Sequence, residues 1–552
     1  MMFLHIGRQR ALHLLRSRVR GATRAPNTRM RQACYPPPRS EGLEGLEEFE
    51  AMTCLLRGTR AGFALCFFTA ALGLFSPGCT RPPPTPGQPD EPLSDLSADG
   101  AAAAEREPGS AAESSERGGD HGQVGENSLP LDSAADLAMA EAAQTKAEQA
   151  KAEQAELEAA EIELAIADPE GPKIEHAEAL AGFFSALDRV RAKETGAIAR
   201  VLHMGDSSVG LDGLPQAIRR RMQEHFGDAG PGFVLIDRFS KNYSSNVAKI
   251  EAGGWKICYI AYLCKKDGHY GLGGHTFRGT SEAWTKISPN RRSPNGHEVS
   301  KFELWYAATP AGGELKVRVD KGPYEAVDTR AETLEDRWYT VEVEAGEHSF
   351  ELRGGRGGAA RVYGVAMENE GPGVVWDTVS MTGAYVRRLH GYNDEHIAGQ
   401  VAHRDPALLV INYGGNDLRR FAARSVERAE FKEEYRTTVR KLRQGKPEMA
   451  CLIVGVTDHG RSGPYDVAVK HVKMMTSIER EVATEEGCAF FDSVAAMGGP
   501  GSVYTWVKAG KVSPDLKHLS RRGIDAMGSM IFDALIAAYA EQKRRPQGAN
   551  GA

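Results

Sequence analysis

The sequence predicts an α/β protein in which a mostly parallel sheet, covered by helices on both faces, is interrupted by an antiparallel β-sandwich and preceded by a long disordered or helical N-terminal region. Three observations predict it. Short apolar runs at 199–205, 374–379, 408–413, 451–456 and 488–491 alternate with amphipathic helical stretches, the order of a parallel sheet with crossover helices. Between the first two runs, over 238–371, the apolar period changes from helical to alternating, as in half-buried strands. Before residue 171, the stretch 80–133 is rich in Pro, Ala, Gly, Ser and Glu, a composition that buries too little surface to offset the entropy of ordering. At 552 residues and 41% apolar composition the chain is long enough for two or three domains. Its net charge of −6 and lack of a large basic patch exclude a strong nucleic-acid partner.

From the N-terminus, residues 1–51 are Arg-rich and aperiodic, and Met52 is a plausible true start. Residues 52–79 have the pattern of an export signal: Arg57 and Arg60, an apolar run over 61–75, then small residues ending at Gly78 and Cys79. The run is short for a membrane span. Cys79 suggests lipid attachment at a new N-terminus, although Ser76 and Pro77 depart from the usual residues before such a cysteine. Lipoprotein, secreted protein and retained anchor remain open, and all three place the rest of the chain outside the cytoplasm. Residues 80–133 read as a disordered linker and 134–170 as an Ala/Glu-rich helix containing a short Lys-Ala-Glu-Gln-Ala repeat. The amphipathic stretch 174–190 is expected to be a packing helix.

The candidate core occupies 171–237 and 372–543, with a disordered tail over 544–552. Its first apolar run ends in Gly205, Asp206 and Ser207; its second is followed by Gly383; its third by Gly414, Gly415, Asn416 and Asp417. Near the C-terminus stand Asp515 and His518. In this order the blocks resemble the SGNH/GDSL esterase family. The resemblance implies a flavodoxin-like three-layer αβα hydrolase core. It also implies a catalytic triad of Ser207, Asp515 and His518, and an oxyanion hole made by the Ser207 and Gly383 N–H groups and the Asn416 side-chain amide.

The residue types suit that chemistry. A serine hydroxyl is a weak nucleophile at neutral pH and needs a base, for which His518 is the candidate. Asp515 would fix the imidazole tautomer and stabilise the imidazolium. Each donor aimed at the developing oxyanion is worth about 3 kcal/mol, and Gly383, lacking Cβ, permits close approach of a ligand to the backbone. Plainer readings exist for each residue. Asp515 also suits a helix cap, His518 a surface histidine, and Asn416 and Asp417 a turn. Asp206 is read first as a turn-orienting residue. The His that usually follows the serine in this family is Ser208 here.

In the segment 238–371, residues 302–306, 314–319, 339–343 and 348–352 read as strands. An inserted sandwich of this kind, similar to a carbohydrate-binding module, resembles the arrangement in peptidoglycan O-acetylesterases of the SGNH family, as do Gly271–Gly274 and the glycines at 498–501. Its less regular first half contains Trp255, Tyr262, Tyr270 and Trp284, suited either to stacking on sugars or to filling the core. Both ends of the insertion fall near the site, so the sandwich is expected to overhang it. Trp506, beyond the glycines at 498–501, would line the cleft or anchor that loop. Cys258 with Cys264, and Cys451 with Cys488, are candidate disulfides in an oxidising compartment, with buried free thiols the alternative. No His, Cys, Asp and Glu cluster has a metal spacing, Asp458 and His459 remain unassigned, and no Gly-rich phosphate loop opens a helix; no cofactor is expected. The functional expectation is an extracytoplasmic serine esterase acting on an acylated envelope polysaccharide, possible membrane tethering included. The alternatives are an O-acetyltransferase acting on glycan and a non-catalytic glycan-binding surface protein.

Overall fold

The computed structural model describes residues 171–240, 243–461 and 467–544. The expected export signal, linker, Ala/Glu-rich helix and C-terminal tail lie outside the described residues. Strand β1 (Ile174–Glu175) and helix α1 (Ala181–Arg191) lead into β2 (Ile198–Gly205) and α2 (Gly213–Phe226). The strands β3 (Gly232–Val234), β4 (Ala248–Gly253), β5 (Lys256–Tyr259), β6 (His275–Gly279), β7 (Trp284–Pro289) and β8 (Val299–Ala308) follow. After them come β9 (Glu314–Val319), β10 (Glu325–Asp328), β11 (Glu335–Gly346), β12 (Phe350–Gly354) and β13 (Ala360–Glu368). The alternation of strand and helix then resumes with β14 (Gly373–Ser380), α3 (Asp394–Arg404), β15 (Leu408–Asn412), α4 (Leu418–Ala422) and α5 (Arg428–Arg443). It ends with β16 (Ala450–Val454), α6 (Val469–Glu485), β17 (Ala489–Phe491), α7 (Ser493–Ala496), α8 (Val503–Lys508) and α9 (Arg521–Arg544).

The core sheet has the order β1-β17-β16-β15-β2-β14. It is parallel except where β1 meets β17. Neighbouring side chains on β2 divide between the two layers, as the period of two requires: Val201 joins Phe183, Ile218 and Met527 from α1, α2 and α9. Leu202 joins Ile397, Tyr435 and Val472 from α3, α5 and α6. In register, Gly205 of β2 lies beside Ser380 of β14 and Asn412 of β15. The three central strands therefore end together, and the turns that follow them, bearing Ser207, Gly383 and Asn416, leave the sheet at one edge.

Between α2 and β14 two antiparallel sheets face each other, one ordered β10-β9-β12-β7-β4 and the other β11-β8-β13-β6-β5, with β3 also on β13. Phe302 and Phe350, from opposite sheets, stack with ring centroids 5.4 Å apart. This core is continuous with the layer on the α3, α5 and α6 face of the core sheet.

Two expectations change. Residues 174–190 do not form one helix: Ile174 and Glu175 pair antiparallel with Phe491 and Phe490, and His176, at φ 55°, turns the chain before the helix starts. The first half of the insertion is regular after all, with strands β4 to β7. Their alternation, as in buried Ala248 and Ile250 against exposed Lys249 and Glu251, is cut short after four to six residues. Both cysteine pairs are bonded, Cys258 to Cys264 and Cys451 to Cys488.

Buried charges join the insertion to the core. Glu368 of β13 accepts two 2.8 Å bonds from Arg200 of β2 and one from Arg404 of α3 (2.5 Å). Arg404 also holds Asp377 of β14, which accepts from the Phe233 N–H at 2.7 Å. Burial alone would raise the Glu368 carboxyl, but Arg404 and Arg200 hold it at about 2. Removing one member of such a buried pair strands the other, so Glu368→Ala should lower unfolding stability by about 3 kcal/mol, measured by urea titration. Because the folded value is depressed, the Glu368 contribution is complete above its ordinary value of 4.5 and is lost as pH falls through about 2. The stability gap between wild type and Glu368→Ala should close over that window. Mass analysis of a non-reduced digest should recover the Cys258–Cys264 and Cys451–Cys488 peptides as linked pairs.

Candidate active site

Each turn at the sheet edge is shaped by a local requirement. A Cβ on Gly205 would meet the Asn412 carbonyl oxygen at 2.6 Å and the Val209 side chain at 2.9 Å; only glycine lets β2 and β15 approach this closely before the serine turn. Asp206 then caps a short 3-10 helix, Ser207–Asp212, by accepting the Ser208 N–H at 2.9 Å. Its other oxygen accepts from the backbone and side-chain N–H groups of Asn416, both at 3.3 Å. Asp206 is 1% exposed, and burial raises its carboxyl pKa against those hydrogen bonds. Its turn-orienting role is the one the geometry gives it. Ser208, at the position of the family's usual His, donates through Oγ to the Asn412 carbonyl at 2.8 Å.

The structure brings Ser207, His518 and Asp515 together. Ser207 Oγ lies 3.0 Å from His518 Nε2, and His518 Nδ1 lies 2.5 Å from Asp515 Oδ2. The second oxygen of Asp515 accepts the backbone N–H groups of Lys517 (3.2 Å) and His518 (3.1 Å). Burial opposes ionisation of Asp515, but the His518 ring and these N–H groups hold its carboxyl below the usual range. With Asp515 accepting, the imidazole carries its proton on Nδ1 and presents the Nε2 lone pair to the serine hydroxyl. The turn that puts both side chains on one side passes through Leu516 at φ 59°, an uncommon conformation for a branched residue.

Gly383 has φ 81°, and a Cβ there would meet nothing within 4 Å. Glycine is needed there for the backbone conformation and not for lack of space. Among the described residues, neither the Ser207 nor the Gly383 N–H donates to another group. Asn416 lines the same cavity, but its amide donates to Asp206 and, at 3.1 Å, to the Ala384 carbonyl. Serving an oxyanion would require it to release one of them. Asp417 beside it accepts from the Val386 N–H (3.0 Å) and from Arg420; burial lifts its carboxyl to about 7 even so.

The cavity over Ser207 measures about 550 Å³, within the range of small-molecule sites. Leu211, Leu214, Ile524 and Met527 give it an apolar wall, while His459, Lys517 and His518 line another part. His459, left unassigned by the sequence, is buried and held neutral, with a pKa of about 3, first by burial and then by the charges of His518 and Lys517. Its neighbour Asp458 accepts the Gly501 and Val503 N–H groups. No local signal beyond an Asp-His pair after a strand marked this position.

The sandwich does not overhang the cavity: no described residue of 238–371 lines it. It braces the rim instead. The Tyr259 hydroxyl donates to the Thr382 carbonyl (3.0 Å). The Asn246 N–H donates to Asp212 (2.8 Å), whose carboxylate also takes buried Arg219 (2.7 Å). Of the four aromatics considered for sugars, Trp255 and Tyr270 are buried. Tyr262 is 78% and Trp284 40% exposed. Trp506 anchors its loop, donating to the Met497 carbonyl at 2.9 Å; neither it nor the glycines at 498–501 line the cavity.

The fold also gathers His269, Asp336 and His396, a trio that spacing did not suggest. It is a hydrogen-bonded knot. The Gly271 N–H donates to His396 Nε2 (2.8 Å), so Nδ1 carries the proton that reaches Asp336 (2.5 Å), and Tyr363 donates to the other oxygen. Both His396 nitrogens are thereby occupied.

Residues 343–523 match the GDSL-like Lipase/Acylhydrolase family, a span that contains Gly383, Asn416, Asp515 and His518. A solved structure of a peptidoglycan O-acetylesterase superposes with a TM-score of 0.55 at 20% identity, covering 66% of this chain and 99% of that one. A lipase/acylhydrolase from Enterococcus faecalis matches over 30% of this chain and 76% of its own, at 19% identity and a TM-score of 0.24. An acetyl xylan esterase matches over 29% and 81%, at 16% identity and 0.23. No curated protein matches by sequence. The chain therefore carries a GDSL-like acylhydrolase domain on an SGNH hydrolase fold. A serine-directed phosphonate should form one adduct, at Ser207, detected by mass spectrometry; Ser207→Ala should abolish it and Asp515→Asn should slow it by about 10³-fold or more.

Proposed function

We propose that this acylhydrolase is an extracytoplasmic serine esterase that removes small acyl groups, O-acetyl above all, from an envelope polysaccharide such as peptidoglycan. The observation that carries the reading is the hydrogen-bond chain from Ser207 through His518 to Asp515, facing a cavity beside two unused backbone N–H groups.

Ser207 Oγ attacks the ester carbonyl as its proton passes to His518 Nε2. Charge on the carbonyl oxygen is met by the Ser207 and Gly383 N–H groups, preorganised and at no reorganisation cost. Collapse breaks the bond to the sugar oxygen, which takes the proton from His518 and leaves as the free hydroxyl. Water then attacks the acyl-serine while His518 accepts its proton, and the second collapse releases the acid and restores Ser207. Asp515 holds the imidazole and stabilises its charged form throughout.

The carbohydrate assignment is supported by the mixed polar and apolar cavity lining and by Tyr262. That ring packs edge-on against Tyr259 at 5.5 Å, and Tyr259 is bonded to Thr382 beside Gly383. Its exposed face is suited to a pyranose ring. Peptidoglycan is favoured by the fold likeness to an esterase of that polymer. The extracytoplasmic location is supported by the signal-like segment 52–79 and by two disulfides, bonds typical of oxidising compartments.

Acetate release should be measured from O-acetylated peptidoglycan, acetylated xylan and long-chain acyl glycerides in parallel. The expected result is fastest release from peptidoglycan, none by Ser207→Ala, and a rise in KM for the polymer of about tenfold in Tyr262→Ala, the loss of one aromatic stacking contact. Preferential cleavage of the glycerides would remove the carbohydrate assignment and leave the serine chemistry standing.

A further inference from the structure

Lys517 sits between Asp515 and His518 in the turn that closes the cavity, and it lines that cavity. Its backbone is fixed by the N–H bond to Asp515, so the stem of the side chain is held relative to the imidazole. Several part-buried cations of the fold are paired. Arg420 meets Asp417 and Glu434, Lys432 meets Glu481 and Glu485, and Lys441 meets Asp394. Among the described residues, the Lys517 ammonium has no carboxylate within ion-pair distance. The two acids nearest to it are committed elsewhere: Asp515 to the His518 ring and two backbone N–H groups, and Asp206 to Ser208 and Asn416.

Partial burial, followed by the charge of Arg419, lowers the pKa of the Lys517 amine, with Asp515 and Asp206 opposing. His459 beside it is neutral. A half-buried ammonium held near a second cation is costly in the empty site, and an anion entering the cavity would relieve that cost. Lys517 lines the same cavity as Ser207 and His518, so an anion on its ammonium would share that cavity with the reacting ester.

We infer that Lys517 forms a subsite for an anionic substituent, a carboxylate or a phosphate, on the glycan next to the scissile ester, so that the substrate is an acidic polysaccharide. This rests on the polysaccharide reading above and narrows it. The subsite selects by charge: a neutral sugar leaves the ammonium uncompensated, whereas an acidic one pairs with it.

The test is calorimetric binding to the full chain of N-acetylmuramic acid, N-acetylglucosamine 6-phosphate and neutral N-acetylglucosamine. At least one acidic sugar should bind about tenfold more tightly than the neutral one, and the gap should narrow as salt is raised. Lys517→Gln should abolish the gap, Lys517→Glu should reverse it, and Lys517→Arg should preserve it, which also shows that the turn tolerates substitution. Equal affinity for all three sugars, binding by none of them, or a gap that survives in Lys517→Gln would overturn the inference. Failure of the polysaccharide reading is seen separately, in acetate release, because the binding measurement requires no turnover.

Discussion

The site depends on two buried carboxylates that tie its turns together. Asp206 accepts from Ser208 on the serine turn and from Asn416 on the turn after β15. Asp417, next in sequence to Asn416, accepts from Val386 just beyond Gly383. Three turns that leave the sheet on three different strands are thus linked by side chains with almost no exposure. In both cases burial raises the carboxyl pKa, to about 7 for Asp417, so each is held in an environment unfavourable to its charge. That unfavourable environment is the condition for strong hydrogen bonds between the turns. The positions of the Ser207 hydroxyl and the Gly383 N–H then follow from rigid strands and their crosslinks.

A second set of buried charges relates the sandwich to this frame. Glu368, Arg200, Arg404 and Asp377 join β13 to β2, β14 and α3, while Arg219 and Asp212 join the end of the serine turn to Asn246 of the insertion. Contact at several separate places, with a hydrophobic core continuous across the junction, makes the insertion a brace beside the turns that carry Ser207 and Gly383. At the rim of the cavity the insertion places Tyr259, bonded to the Thr382 carbonyl, and the exposed ring of Tyr262.

The parallel core was legible because strands buried on both faces are written as continuous apolar runs, and 199–205, 374–379 and 408–413 each became a strand. Three of the four sequence blocks were legible because each follows such a run; the fourth, Asp515 and His518, follows helix α8 and was marked only by its Asp-x-x-His spacing. The later strands of the sandwich, β8, β9, β11 and β12, were visible in their alternation. The earlier ones were not, because strands of four to six residues broken by glycines give too short a period. Two-residue β1 has no period at all and exists only through its pairing with β17.

By itself the sequence determined the order of elements and singled out Ser207, His518 and Asp515 as candidates, since local pattern encodes which segments are buried strands and which residues follow them. Only the tertiary structure decided what lay between segments far apart in the chain. It paired Ser207 with His518, 311 positions away, and brought His459 into the cavity wall. It turned Tyr262 outward while burying Tyr270, engaged the Asn416 amide with Asp206 and Ala384, and left Lys517 without an acid partner among the described residues. The physical reason is that exposure, pairing and protonation are properties of a residue's neighbours in space, and those neighbours are fixed by sheet register and helix packing.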